Sequence, residues 1–436
     1  MKIINTGFPI LDFLLTVLFV ILLTYPVLGG IAWITGVICY NFLFRHKQEE
    51  WIPIPTEIEP FITIMVPVHN EEIIIQDTLS YLLTQLDYQH YEVLVMDDGS
   101  TDSTPEILAR LAKEHHKLRV IRIEKNKGKA HAFNVGVGFA KGDLILSNDA
   151  DIVPEPGALQ KYVNYFIRQE SRNISAVTSN AIVQNRSTLV GKSQTVEFSS
   201  IVGIIKRTQT GVFGVIYAYS GANTIYRKEA LIDIGLFRQD RATEDISIAW
   251  DHQLVGWHSL FAEDIMFFME VPETIKSLYT QRKRWAKGGI EVWLANFKKV
   301  FFHPFKNIGR TSIFIDQTLS IIWTFFFWLS SLTFAFTFGY LLFTQQYQTT
   351  LHMLVLSGIF VCFEITAGLL QIFAALLIDT KGRKLKYFLF SPLYLLFYWM
   401  LSAATIVTTF IPAVKTILGH GTGVWKSPER RHQKKS

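Results

Sequence analysis

Gly142-Asp-Leu-Ile-Leu-Ser-Asn-Asp-Ala-Asp151 is a short apolar run that ends in two carboxylates one residue apart. Leu144, Ile145 and Leu146 read as a buried strand. Pro154, Glu155 and Pro156 follow at once, so the strand cannot continue. At the carboxyl edge of a parallel sheet, Asp149 and Asp151 would point into the crevice where α/β folds bind ligands. Two hard oxygen ligands at this spacing suit Mg²⁺ or Mn²⁺ carrying a diphosphate. An isolated Asp-x-Asp is more often a pair of solvated turn residues, so the reading depends on its surroundings.

Those surroundings alternate. Phe61 to Val68 reads as a strand, residues 71–86 as a helix started by Asn70, and Glu92 to Met96 as a second strand ending in Asp97-Asp98-Gly99-Ser100. A helix over 103–115, a strand over 118–123, a helix over 129–140 and a strand over 143–148 complete the series. This order predicts a parallel α/β sheet covered on both faces. No Gly-x-Gly-x-x-Gly follows the first strand and no Walker loop occurs, which argues against a dinucleotide or P-loop site.

Farther out the composition changes. Hydrophobic residues make up 49% of the 436 and charged residues 18%, too apolar for one soluble domain and too charged for a purely embedded one. The apolar residues are segregated: 13–44 carry no charge, and three long apolar runs lie at 312–343, 351–378 and 387–418. The first run holds Pro26, Gly29 and Gly30 and is either one kinked helix or a two-helix hairpin. Arg45-His-Lys47 and the basic loop 379–386 mark cytoplasmic ends, whereas the uncharged loop 344–350 reads as external. The basic tail also reads as cytoplasmic, which three full crossings would forbid: the last run, with Pro392 and Pro412, turns back, or the tail disobeys the rule. Glu364 lies mid-span, where a charge is costly and faces protein or a water-filled path. Residues 189–207 and 288–303 are amphipathic. In the latter Ile290, Trp293, Leu294, Phe297, Val300 and Phe301 share one face, with Glu291, Lys298 and Lys299 opposite, as in a helix lying in the membrane interface. Cys39 and Cys362 both sit in apolar runs, so no disulfide framework exists. A net charge of +5, clustered at membrane flanks, points to a lipid bilayer rather than nucleic acid. The expected division is an N-terminal membrane region (1–47), a linker (48–60), the α/β domain (61–287), an interfacial helix (288–310), membrane helices (311–418) and a basic tail (419–436).

Four motifs stand in order in the central region: Asp97-Asp98-Gly-Ser, Asp149-Ala-Asp151, Thr243-Glu244-Asp245 and Gln281-Arg-Lys-Arg284-Trp285. The ordered set resembles the processive family 2 glycosyltransferases, the group of cellulose, chitin and hyaluronan synthases. Arg186-Ser-Thr-Leu-Val-Gly-Lys192, Ile205-Lys-Arg-Thr-Gln209, Val271-Pro-Glu-Thr-Ile275 and Trp425-Lys-Ser-Pro-Glu-Arg430 look like the bacterial poly-β-1,6-N-acetylglucosamine synthases. Lys287 in place of the usual Gln, and Ser220-Gly-Ala-Asn223, depart from that pattern.

The resemblance implies a cytoplasmic, GT-A-like (Rossmann-like) α/β domain inserted between N- and C-terminal transmembrane helices. It implies an inverting, processive enzyme of the plasma membrane that polymerises N-acetylglucosamine from a UDP-sugar donor and passes the growing polysaccharide across the bilayer, with a small membrane accessory subunit as a partner. Asp245 is then the general base, oriented by Glu244. Asp97, Asp98, Lys129, Asp149 and Arg284 bind the donor, Gln281 and Trp285 the acceptor, and Asp149 with Asp151 the Mg²⁺ or Mn²⁺. A synthase of another polysaccharide, a single-sugar lipid-linked transferase and a nucleotide-binding transporter are the competing readings.

Overall fold

The computed structural model describes residues 9–43, 59–167 and 173–420. Arg45-His-Lys47, most of the 48–60 linker, and the basic tail with Trp425 to Arg430 lie outside the described residues.

The sheet begins as the sequence predicts. Strands β1 (Ile62–Val68), β2 (Tyr91–Asp98), β3 (Leu118–Ile123) and β4 (Leu144–Asn148) alternate with helices α2 (Ile75–Thr84), α3 (Thr104–Glu114) and α4 (Lys129–Phe139). β1 pairs in parallel with both β2 and β4, and β2 with β3. Their side chains feed two cores. One packs Ile62, Ile64, Val93 and Val95 beneath Leu79 and Leu108, and the other packs Met65, Leu94 and Met96 against Phe133. Burial on both faces is what a crossover-connected sheet requires.

After β4 the expectation fails, and the sheet is mixed. The order is β3-β2-β1-β4-β7-β6-β8-β5, where β5 is Ile152–Pro154, β6 Ile174–Val183, β7 Asn223–Arg227 and β8 His258–Met269. β7 runs antiparallel to β4 and β6, and β5 antiparallel to β8, while β6 and β8 are parallel. Only residues 149–151 separate β4 from β5, too few for a crossover helix, so the strand–helix alternation stops here; β5 leaves β4 to pair with β8, and the next neighbour of β4 is β7, which arrives antiparallel. Helices α5 (Ala158–Ile167), α8 (Lys228–Asp233) and α9 (Glu244–Val255) complete this half.

The stretch from residue 189 differs from its amphipathic reading. Helix α6 (Leu189–Ser200), a π-helical turn at 201–205, the single turn α7 (Lys206–Thr208) and a second π-helical turn at 209–213 form one bent helical segment. Its polar residues Gln194, Glu197, Lys206, Arg207 and Gln209 are buried between the sheet and the apolar helices.

The N-terminal run is one helix, α1 (Pro9–Leu43), with Pro26 inside it. α10 (Ile275–Phe301) starts well before the expected interfacial helix and therefore contains Gln281 to Trp285. Glu291, assigned above to the polar face, is fully buried and accepts the Ala242 amide at 2.8 Å. The chain bends through Pro304–Lys306 into α11 (Ile308–Phe343), followed by α12 (Tyr347–Ile378) and α13 (Ser391–Ile417). α1, α11, α12 and α13 are long and apolar enough to cross a membrane. Large apolar side chains such as Phe336, Phe343, Leu356 and Leu370 stand exposed on them, as a lipid solvent allows. The turn between α12 and α13 is not a free basic loop. Asp379 is fully buried, bonded to Lys384 at 2.7 Å and to the Ser199 hydroxyl of α6 at 2.8 Å. α13 is one helix, with Pro392 in its first turn and Pro412 inside it. It runs alongside α10: Tyr398 and Leu401 pack on Leu278, and Ala413 packs on Ile290. Glu364 is buried, and neither carboxyl oxygen has a hydrogen-bond partner among the described residues.

Candidate active site

The carboxylates that close β2 are fully engaged. Asp97 pairs with Arg122 and accepts the Ser100 amide at 3.0 Å. Asp98 accepts the Lys127 amide at 3.1 Å and the Gly128 amide at 2.8 Å, fixing the 125–128 loop against the strand end. Gly99 and Gly128 take positive φ values of 71° and 93°, and a Cβ on Gly99 would lie 2.8 Å from the Asn126 nitrogen. The Asp97–Asp98 pair therefore shapes the loop with its side chains.

The turn after β4 is held from both sides. Asn148 donates to the carbonyls of Asp149 (2.8 Å) and Ile152 (2.9 Å), and the Thr78 hydroxyl donates to the Ala150 carbonyl (2.6 Å). Asp149 and Asp151 thus stand on a fixed turn. Burial and then the neighbouring Asp151 charge raise the Asp149 carboxyl above its usual range, against the pull of Lys129. Two carboxylates that repel at a strand end fit a divalent cation. Among the described residues no group of three or more His, Cys, Asp or Glu could hold a metal unaided. Other ligands would have to come from phosphate oxygens and water, the usual habit of Mg²⁺.

Lys129 opens α4 and reaches into the same space. Its Nζ lies 2.6 Å from Asp149 Oδ1, 3.2 Å from Glu244 Oε1 and 3.1 Å from the Gly221 carbonyl. Burial opposes the ammonium charge, but Asp149 and Glu244 outweigh it and raise the Lys129 pKa. Glu244 and Asp245 form the first turn of α9, where Asp245 Oδ1 accepts the Ile246 amide at 2.9 Å. The three groups converge on Gly221. A methyl there would lie 3.2 Å from Glu244 Oε1, 3.3 Å from Lys129 Nζ and 3.4 Å from Asp245 Oδ2.

The two neighbours of α9 titrate apart. Glu244 is buried, which favours its neutral form, yet Lys129 and Arg284 hold it below its usual range. Asp245 is pushed up to about 6, first by burial and then by the Glu244 charge, with Lys129 and Arg284 only partly offsetting them. Adjacent carboxyls driven in opposite directions are suited to different protonation roles.

α10 closes this space. Arg284 is near enough to act on both carboxyls, and Trp285 lies half-buried one residue farther on. Gln281 is partly buried, and its Oε1 lacks a partner among the described residues. The helix can lie this close because Gly288 and Gly289 face the site. A Cβ on Gly288 would fall 2.0 Å from Thr243 Oγ1, and one on Gly289 2.6 Å from the Tyr217 hydroxyl. Gln317 of α11 then donates to that hydroxyl (2.9 Å) and to the Gly289 carbonyl (2.8 Å). The glycine pair, Gly221 and Glu197 escaped the sequence reading. Two glycines inside an amphipathic helical pattern were the available signal for the first, since glycine there costs helix stability without a packing reason. Nothing local marked the other two.

The profile described as Glycosyl transferase family 2 matches residues 63–249. A poly-beta-1,6-N-acetyl-D-glucosamine synthase of Staphylococcus epidermidis is 32% identical over 417 residues, spanning 95% of this chain and 98% of that protein. A protein of the same name from Staphylococcus aureus (strain COL) is 32% identical over 415 residues, 94% of this chain and 97% of its own length. Among solved structures, a mannosyltransferase from Pyrobaculum calidifontis in complex with GDP-Man and Mn²⁺ superposes with a TM-score of 0.56 at 19% identity. It covers 84% of this chain and 99% of its own, a likeness of fold that bears out the GT-A-like domain expected above.

Proposed function

The chain belongs to glycosyl transferase family 2, alongside the poly-β-1,6-N-acetyl-D-glucosamine synthases, and from that premise we propose that it polymerises N-acetylglucosamine from UDP-N-acetylglucosamine. The observation that carries the reading is the meeting of Lys129, Glu244 and Asp245 at Gly221, beneath the α10 motif that holds Arg284 and Trp285.

In this reading Asp245 removes the proton from the attacking hydroxyl of the acceptor. The oxygen attacks the anomeric carbon on the face opposite the diphosphate, the bond to the leaving UDP breaks, and configuration inverts. A carboxyl near 6 is ionised at neutral pH yet basic enough to accept a proton. Glu244, kept ionised by Lys129 and Arg284, orients the site and raises Asp245. Lys129 and Arg284 meet the diphosphate charge, with Arg284 able to grip two oxygens at once. Asp149 and Asp151 would hold Mg²⁺ or Mn²⁺, whose chemistry is to neutralise the leaving group. Asp98 and Asp97 shape the uridine side of the pocket through the 125–128 loop. Trp285 stacks the terminal sugar, and Gln281 lies one turn away on the same helix.

The active domain lies on the cytoplasmic side. The basic turn joining α12 to α13 supports this, because Asp379, paired with Lys384 in the turn, accepts the Ser199 hydroxyl of α6. Product leaves through the membrane helices that α10 abuts, with an accessory membrane subunit as a partner. A cysteine at Ser103 should then resist a membrane-impermeant thiol reagent in whole cells.

The assignment is tested by giving membranes UDP-N-acetylglucosamine, UDP-glucose and UDP-N-acetylmannosamine in parallel. Long polymer from the first supports it. Polymer from either of the others alone, or a single-sugar lipid, refutes it.

A further inference from the structure

Arg282 stands inside the Gln281–Trp285 motif but faces away from the charged cluster. It is buried, and its guanidinium carbon lies 3.9 Å from the centroid of the Trp285 ring. Glu197 of α6, also buried, pairs with its Nη2. Among the described residues Nε and Nη1 of Arg282 have no hydrogen-bond partner, and Glu197 is the carboxylate that pairs with this cation. Tyr394 and Tyr398 of α13 feel both charges.

We propose that the Glu197–Arg282 pair positions Trp285 for the acceptor: Glu197 holds the guanidinium flat on one face of the indole, leaving the other face to a sugar ring. The inference rests on the reading of Trp285 as the acceptor platform. A desolvated cation over an indole is among the stronger contacts an aromatic ring can make. It fixes a side chain whose rotation would otherwise have to be frozen by the sugar itself. Glu197 touches no reacting atom, so both members are positioning residues. A buried ion pair that contributed only stability could be exchanged for apolar residues at little cost. That difference separates the two roles.

The experiment uses the full chain in detergent and reads two affinities and one transition: binding of a short β-1,6-linked N-acetylglucosamine oligomer, binding of UDP, and thermal unfolding. Three variants are compared: Glu197→Gln, the apolar pair Glu197→Leu with Arg282→Met, and Arg282→Lys. The apolar pair avoids the lone buried cation that Glu197→Gln leaves behind. Oligomer affinity is expected to fall roughly tenfold in the first two, with UDP affinity and, in the apolar pair, the unfolding transition unchanged. Arg282→Lys, which keeps the charge and loses the flat fork, should recover part of it. An apolar pair that binds oligomer as the parent does, or that loses UDP affinity in step, or that unfolds, overturns the proposal. A parent chain that ignores the oligomer overturns instead the acceptor reading of Trp285, and does so before any variant is made.

Discussion

Two sets of carboxylates, each including a pair of aspartates that closes a strand, end in opposite physical states. At the end of β2, Asp97 and Asp98 are saturated with Arg122, the Ser100 amide and the amides of Lys127 and Gly128. Around Gly221, Asp149, Glu244 and Asp245 share Lys129, and Asp245 is pushed up to about 6. The first set has spent its charge on architecture. The second is under-compensated, and buried charge without full compensation is what chemistry can use. The lesson is that a motif names a location, while the balance of its partners decides whether it builds or reacts.

The sharpest break between the sets should come from metal removal. Excess chelator should abolish turnover, because it acts only where Asp149 and Asp151 repel each other. Asp151→Asn should do likewise with expression intact, and full activity in either case would dissolve the distinction. Asp245→Asn keeps shape and removes the proton acceptor. Transfer should drop by ~10²–10⁴-fold with UDP-sugar binding retained, as measured by turnover and by equilibrium binding. Loss of binding without loss of chemistry would move Asp245 among the saturated set.

The pH profile sharpens the comparison on a smaller scale. As the proposed base Asp245 would have to be ionised to act, so turnover should fall by ~10-fold per pH unit below its value near 6. Lys129 pulls that value down, so Lys129→Met should move the acid limb to higher pH. A limb that stays in place would separate Lys129 from Asp245. The smallest effect on the chemical step belongs to β2. Asp98→Ala takes the carboxylate acceptor from the Lys127 amide and leaves Gly128 only the Asn126 oxygen, at ~1–3 kcal/mol for an amide left without its partner. It should lower the melting temperature and weaken UDP binding while kcat changes by only about a few-fold, as in loss of an orienting contact.

Much of the scaffold was legible. β3 falls where the alternation placed it, β1, β2 and β4 within a residue or two, and the apolar runs became α1, α11, α12 and α13. Sequence periodicity succeeds there because strand and helix repeats are properties of consecutive residues. It failed after β4, where the strand–helix alternation stops and β7, far along the chain, pairs antiparallel with β4, and at 189–213, where polar residues that looked solvated are buried against other polar groups.

What the sequence determined by itself is the set of elements, the ordered motifs and the apolar segments, because each is encoded within a few adjacent positions. Only the tertiary structure decided which charges are quenched and which are left wanting. Lys129, Asp149, Gly221, Glu244 and Arg284 are far apart along the chain, and their mutual influence depends on distances that no repeat encodes. Coulomb energies vary with separation and with the surrounding dielectric, and both are created only when the chain folds and expels water.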